Sequence, residues 1–254
     1  MTAVSLRIGG ITDLSTVDWY GNVSLVIFFA GCNFRCPYCQ NSSLLSLDSG
    51  REVNLALLRE RFEANKMFID AVVLSGGEPL LQPEPVIEAA KLARSFGLKV
   101  MLDTNGSVEK HIDKVLRTGF IDRVALDVKA PLNPIDYGRI TGCPDLGQES
   151  VEAVKHCLDL SNELGLETET RTTVAPGISD DLAFIRSIAS SLKDRTDVYY
   201  LQQFDNSGEI LSQTLKQEKP PSREAMMSLA QEALSTGLRN VFIKTRSHGL
   251  ERMG

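Results

Sequence analysis

Short apolar runs alternate with longer amphipathic stretches along most of the chain. Runs suited to buried strands lie at residues 25–30, 70–75, 98–103, 122–128, 167–174 and 197–204, and a seventh lies at 240–244. Stretches with the spacing of helices cover residues 54–66, 84–96, 108–117, 149–164, 180–192 and 222–235. This alternation predicts an α/β fold, a parallel sheet curved into a partial, six-stranded β/α barrel. The run at 240–244 is a candidate extra strand at the C-terminal end.

The composition is that of an ordinary globular protein. Of the 254 residues, 43% are hydrophobic and 24% are charged, which suits one substantial core. We expect a single domain over 1–254, with its core at about 14–204 and a C-terminal extension at 205–254. The net charge of −6 and the lack of a basic run argue against nucleic-acid binding. No apolar stretch reaches the roughly 18 residues of a membrane span, and residues 1–10 lack a signal-peptide core, so a cytoplasmic location is expected.

Polar residues and glycines cluster where the predicted strands end. In a parallel barrel the carboxyl ends of the strands share one rim, where reactive groups gather. The residues concerned follow the first four strands or lie within the fifth: Cys32, Cys36, Cys39, Gly76, Gly77, Glu78, Asp103, Thr104, Asn105, Asp127, Lys129 and Arg171. The sequence therefore predicts one functional rim.

Three cysteines, Cys32, Cys36 and Cys39, lie in one eight-residue loop after the first strand. Thiolates favour iron–sulfur clusters or zinc, and three ligands leave one coordination position open. A zinc site completed by a distant residue is the alternative. Its fourth ligand would come from the remaining cysteines and histidines, none of which has paired zinc-site spacing: Cys143, Cys157, His111, His156 and His248.

The spacing Cys-x3-Cys-x2-Cys, with Tyr38 before the last cysteine, resembles the signature of radical S-adenosylmethionine (SAM) enzymes. The resemblance implies a 4Fe–4S cluster held by the three cysteines, with SAM chelated to the remaining iron. It also implies that the backbone of Tyr38 meets the adenine, although the ring could simply pack against the loop. Gly76, Gly77 and Glu78 resemble the motif that contacts the amino group of SAM. By themselves they would indicate only a tight turn.

The remaining rim residues each have a functional and a structural interpretation. Asp103, Thr104 and Asn105 resemble a segment of the SAM pocket, or could form a helix cap. Asp127 and Lys129 share a strand face. The resemblance implies that they help to bind SAM and sometimes a cation. The alternative is that they form a structural ion pair with each other. The guanidinium of Arg171 is a candidate clamp for the SAM carboxylate, or a salt-bridge partner of Glu167 or Glu169.

The resemblance covers residues 14–204 and is strongest to activating proteins of glycyl-radical enzymes. Residues 17–21, the Asp-x-Lys at 127–129 and residues 201–204 are similar to those of activases for anaerobic (class III) ribonucleoside-triphosphate reductase. This implies reductive cleavage of SAM to a 5′-deoxyadenosyl radical, which generates a glycyl radical on the partner, with flavodoxin or ferredoxin as electron donor. The alternatives are a pyruvate formate-lyase-type partner, a small-molecule or other protein substrate, and a non-enzymatic iron–sulfur or zinc protein.

Overall fold

The strands of the protein form one open sheet. The computed structural model describes residues 4–254. The strands are β1 (Ser5–Ser15), β2 (Ser24–Phe29), β3 (Arg51–Asn54), β4 (Ala71–Gly76), β5 (Lys99–Thr104), β6 (Arg123–Asp127), β7 (Glu167–Val174), β8 (Val198–Gln203), β9 (Val241–Thr245) and β10 (Gly249–Arg252). Their order is β10-β9-β8-β7-β6-β5-β4-β2-β1-β3, so β3 and β10 are the two edges.

Helices follow most of the parallel strands and cover one face of the sheet. They are α1 (Leu55–Asn65), α2 (Pro83–Ser95), α3 (Glu109–Leu116), α4 (Pro134–Thr141), α5 (Gly147–Glu163), α6 (Leu182–Leu192), α7 (Gln213–Gln217) and α8 (Arg223–Ser235). Asparagine, aspartate or serine side chains cap the N-termini of α1, α4, α6, α7 and α8. Such caps satisfy backbone N–H groups of the first turn. Within residues 4–254, no helix is both long and apolar enough to cross a membrane.

The predicted α/β fold is confirmed, and the parallel part of the sheet is larger by one strand. Strands β2 and β4 to β8 coincide with the six predicted runs, and β9 pairs in parallel with β8. The run at 240–244 is therefore a seventh parallel strand. Strands β1, β3 and β10 are antiparallel additions that the sequence pattern did not reveal. The short edges β3 and β10 are mostly exposed and polar, so they lack an apolar run.

The two faces of the parallel sheet have different contents because side chains alternate along each strand. One face packs against the helices in a large apolar core. The inner face carries a smaller apolar cluster in which Trp19 packs against Val26, Val73 and Met101. Two residues beyond this apolar cluster, towards the carboxyl ends of β5 and β6, the inner face becomes polar. The apolar cluster therefore supports a polar rim at the carboxyl ends of the strands.

The turn between β1 and β2 bridges the open side of the curved sheet. Lys244, on β9, donates a hydrogen bond through Nζ to the Val17 carbonyl at 2.8 Å. Arg171, on β7, donates one to the Asp18 carbonyl at 3.3 Å. The ring of Trp19, in the same turn, is 3% exposed. The turn thus joins the first and last parallel strands without strand pairing.

Candidate functional site

A cavity of about 350 Å³ lies at the polar rim. Its lining includes every predicted site residue except Glu78: Cys32, Cys36, Tyr38, Cys39, Gly76, Gly77, Asp103, Thr104, Asn105, Asp127, Lys129 and Arg171. These residues come from five strands or the loops that follow them. The parallel register brings them together, because β2 and β4 to β7 all end at this rim.

The cysteine loop is held in place by backbone contacts on both sides. The N–H of Cys32 donates to Leu45 O at 3.1 Å, and the N–H of Ser212 donates to Pro37 O at 2.9 Å. All three cysteines are free thiols. Burial raises the pKa of Cys32 to about 12 and that of Cys36 to about 11. The thiols are therefore neutral near pH 7 until a metal displaces their protons.

The glycine pair lets the second loop lie directly against the first. A Cβ added at Gly77 would lie 2.1 Å from the carbonyl oxygen of Gly31, which is closer than any real side chain allows. Gly76 has a φ of +121°, a conformation that favours glycine. The N–H groups of Gly77 and Glu78 donate to Phe29 O at 2.8 Å and Gly31 O at 2.7 Å. The backbone therefore forms this part of the cavity wall.

Glu78 lies beneath the cavity and is fully buried. Its carboxylate accepts hydrogen bonds from Leu80 N at 2.9 Å, Thr104 Oγ1 at 2.7 Å and Asn105 N at 2.7 Å. Burial raises the pKa of Glu78 to about 7, although these hydrogen bonds oppose the change. The Glu78 side chain is not among the residues that line the cavity, and the predicted part of Glu78 in binding the amino group of SAM stays a prediction. Glu78 fastens the loop after β4 to the loop after β5.

Charged side chains of alternating sign cross the inner face at the rim. The Nζ of Lys129 lies 2.9 Å from Asp127 Oδ2, and an Arg171 nitrogen lies 3.2 Å from Asp103 Oδ2. Arg171 also pairs with Glu169. Burial lowers the pKa of Arg171, but Glu169 and Asp103 outweigh it and leave the pKa above its usual range. The ion pairs that the sequence offered as structural alternatives are present, and Asp127, Lys129 and Arg171 also face the cavity.

Further polar residues line the cavity that the sequence did not single out as site residues. They include Asp18, Ser75, Gln202 and Lys244. Ser75 donates to Asp103 Oδ2 at 2.7 Å. Lys244 could have been predicted as a site residue, because it is the polar, inward-facing position of the seventh apolar run. No sequence pattern indicates Asp18, because its position depends on how the β1–β2 turn folds across the sheet.

The remaining cysteines and histidines are not among the residues that line the cavity. Cys157 is buried on α5, and Cys143 Sγ lies 3.4 Å from the Asn33 carbonyl. Among residues 4–254, no three His, Cys, Asp or Glu side chains are spaced to hold a single metal ion.

The donor set fits a cluster with an open iron and a ligand such as SAM. Cys32, Cys36 and Cys39 offer three soft thiolate ligands in one loop, which would leave the fourth iron of a 4Fe–4S cluster open. The cavity they share is also lined by backbone of the glycine pair, by carboxylates and by the guanidinium of Arg171. These groups complement the amino, carboxylate and sulfonium groups of SAM. The arrangement would place a redox centre and a cationic ligand in the same cavity.

Comparisons with known proteins agree with this chemistry. Residues 26–187 match the radical SAM superfamily. A protein from Methanocaldococcus jannaschii that is named as a glycyl-radical enzyme activating enzyme is 37% identical over 198 residues, which cover 78% of this chain and 80% of that protein. The pyruvate formate-lyase-activating enzyme of Clostridium pasteurianum is 30% identical over 197 residues, 76% of this chain and 78% of that protein. A radical SAM methyltransferase from Sphaerobacter thermophilus has the same fold, with a TM-score of 0.70 and 16% identity over 89% of this chain and 67% of that one.

Proposed function

This chain belongs to the radical SAM superfamily and, within it, to the glycyl-radical enzyme activating enzymes, and from that premise we propose that its partner is an anaerobic ribonucleoside-triphosphate reductase. Enzymes of the superfamily use a 4Fe–4S cluster and SAM. The observation that supports SAM chemistry is the one cavity shared by three cysteines, a glycine-walled loop and a rim of alternating charges, and the choice of partner rests on the resemblance of residues 17–21, 127–129 and 201–204. We place the protein in the anaerobic cytoplasm, because a cluster with an exposed iron is sensitive to oxygen.

Each group of residues at the cavity has a task in this reaction. Cys32, Cys36 and Cys39 hold the cluster at one wall. When bound, the cluster and SAM supply reductive cleavage of the sulfonium and the hydrogen-abstracting chemistry that a glycyl radical requires. Arg171 binds the carboxylate of SAM through its planar guanidinium, whose position Glu169 fixes. No general base is needed, which fits a rim whose charges are already paired.

Asp127, Lys129 and the loop at Asp103 complete the lining of the proposed SAM pocket. Asp127 lies beside Arg171 in the parallel register of β6 and β7. Burial raises the pKa of Asp103, while Arg171 opposes this effect. The ion pairs neutralise the site before SAM binds, so the cofactor enters without leaving an unpaired buried charge. The backbone of Tyr38, next to the cluster ligand Cys39, is assigned to the adenine.

A second cavity supports access of a protein loop to the site. It has a volume of about 150 Å³ and shares Asp18, Arg171, Gln202 and Lys244 with the first cavity. Its outer wall includes Tyr20, which is 66% exposed. We propose that this second cavity, which adjoins the SAM cavity at these shared residues, receives part of a glycine-bearing peptide. Val17, Asp18 and Tyr20, from the segment 17–21 that underlies the choice of a ribonucleotide reductase, line the second cavity.

Pyruvate formate-lyase is the second candidate partner, because the relative from Clostridium pasteurianum activates that enzyme by name.

The proposed electron donor is of the flavodoxin or ferredoxin type. The exposed guanidinium of Arg35 lies on the cysteine loop, where its Nη1 donates to Cys32 O and Phe34 O at 2.7 Å. It offers an acidic donor protein a positive contact beside the cluster.

The test combines the reconstituted protein, SAM, a reductant and each candidate partner under anaerobic conditions, with glycyl radical detected by EPR. We expect a radical on the ribonucleotide reductase that disappears when Cys36 is replaced by alanine or when the partner's radical-bearing glycine is replaced. A radical on pyruvate formate-lyase alone would refute the choice of partner. SAM cleavage with no radical on either protein would refute the activase function.

A further inference from the structure

Three polar side chains beside the cysteine loop form a closed ring of hydrogen bonds. Asn105 Nδ2 donates to Asn33 Oδ1 at 3.1 Å, and Asn33 Nδ2 donates to Ser107 Oγ at 2.7 Å. Ser107 Oγ in turn donates to Asn105 Oδ1 at 2.6 Å. Asn105 is 4% exposed and Ser107 is 5% exposed. The ring joins the cysteine loop, through Asn33, to the loop after β5.

The orientation of the Asn105 amide is fixed by a backbone group. The N–H of Ser107 points at Asn105 Oδ1, at 2.9 Å. A backbone N–H can only donate, so the atom facing it must be the oxygen of the amide. The NH2 group therefore faces the cysteine loop. One of its protons goes to Asn33, and the other faces Cys32 Sγ, with nitrogen and sulfur 3.9 Å apart.

Cys32 thus receives donors from two directions. The N–H of Phe34 also points at Cys32 Sγ, at 3.4 Å. Within residues 4–254, no side-chain donor reaches the sulfur of Cys36 or Cys39 in the same way. A donor at a cluster ligand favours the reduced state, because reduction places more negative charge on the sulfur. Burial strengthens this interaction by excluding water.

We propose that Asn105 is a positioning residue that hydrogen-bonds the sulfur of Cys32 and raises the reduction potential of the cluster. The inference rests on the cluster assigned under the proposed function. Glu78 holds the backbone of this loop in place, because it accepts hydrogen bonds from the N–H of Asn105 and from the hydroxyl of Thr104. Asn105 therefore has two separate tasks: its backbone closes the loop, and its side chain acts on the cluster.

The test is a redox titration of the reconstituted cluster in the absence of SAM, in which EPR measures the fraction of reduced cluster. The variants Asn105→Leu and Asn105→Asp both remove the amide donor. We expect each to lower the equilibrium constant for cluster reduction about threefold to tenfold, where tenfold corresponds to about 59 mV for one electron. Ser107→Ala is the matched control. It breaks the ring but keeps the backbone N–H that orients Asn105, so the potential should stay at the wild-type value.

The outcomes separate this inference from the proposed function. A protein that binds no iron–sulfur cluster would refute the cluster itself. A normal cluster whose potential is unchanged in both Asn105 variants would overturn the role of Asn105, and so would an equal shift in Ser107→Ala. If neither variant holds a cluster, pulsed EPR of the reduced wild-type protein, labelled with ¹⁵N in asparagine side chains, decides. A ¹⁵N coupling that persists when Asn33 and Asn41 are each replaced by aspartate supports the contact of Asn105, and the absence of a coupling overturns it.

Discussion

Replacing Glu78 by glutamine tests whether this residue supports the site from below. The carboxylate accepts from two backbone N–H groups, of Leu80 and Asn105, and from the hydroxyl of Thr104. The hydroxyl can reverse its direction, but a backbone N–H cannot. Whichever way the glutamine amide turns, its NH2 group faces one N–H and leaves it unsatisfied. One buried unsatisfied group costs about 1–3 kcal/mol, which is the expected loss in the free energy of unfolding.

The size of this loss depends on pH. Burial raises the pKa of Glu78 from 4.5 to about 7 in the folded protein. A group whose pKa is raised on folding stabilises the protein fully below its unfolded pKa, and this contribution disappears as the pH rises through 7. The difference corresponds to about 3 kcal/mol, at 1.36 kcal/mol per pH unit. Glutamine does not titrate, so the gap in the free energy of unfolding between wild type and variant should be widest below pH 4.5, should still be larger at pH 5.5 than at pH 7, and should be smallest near pH 8.

The assay is urea denaturation of the cluster-free protein under anaerobic conditions at several pH values. Trp19 is the only tryptophan and is 3% exposed, so its fluorescence reports unfolding of the inner face of the sheet. Glu84→Gln is the matched control, because the Glu84 side chain is 60% exposed and pairs with Lys114 at the surface. Its loss should be at most about 1 kcal/mol. Equal stability of both variants near pH 5.5, or a gap that widens towards pH 8, would refute the reasoning.

Three further substitutions test other parts of the site. Cys36→Ala should abolish the binding of iron and sulfide, whereas the control Cys143→Ala should retain both. A normal cluster in Cys36→Ala would mean that the ligands are misassigned. Gly77→Ala should cost about 1–3 kcal/mol in urea denaturation because its Cβ would lie 2.1 Å from a backbone carbonyl oxygen, and Gly10→Ala, with open space around it, is the control that should lose less. Arg171→Lys should weaken SAM binding about tenfold or more, measured by equilibrium dialysis of the reconstituted protein, because an ammonium lacks the planar fork; unchanged affinity would remove Arg171 from the carboxylate site.

Much of the fold and the composition of the site could be predicted from local sequence. Apolar runs and helical spacing located the parallel strands β2 and β4 to β9, since buried strands and amphipathic helices each impose a short-range period. The ends of those strands then indicated one rim. The rim residues do meet at one cavity, because all parallel strands end on the same side. The antiparallel strands β3 and β10 escaped prediction because edge strands do not need apolar side chains.

The sequence by itself determined the parallel core, the position of the cysteine loop and the identity of the polar groups at the rim. These follow from side-chain periods and residue chemistry, which act over a few residues. Only the tertiary structure decided that Glu78 lies beneath the cavity, that Lys244 and Asp18 join its wall, and that the amide of Asn105 faces Cys32. Those arrangements depend on contacts between segments separated by tens or hundreds of residues. Packing fixes such contacts, and no local pattern encodes them.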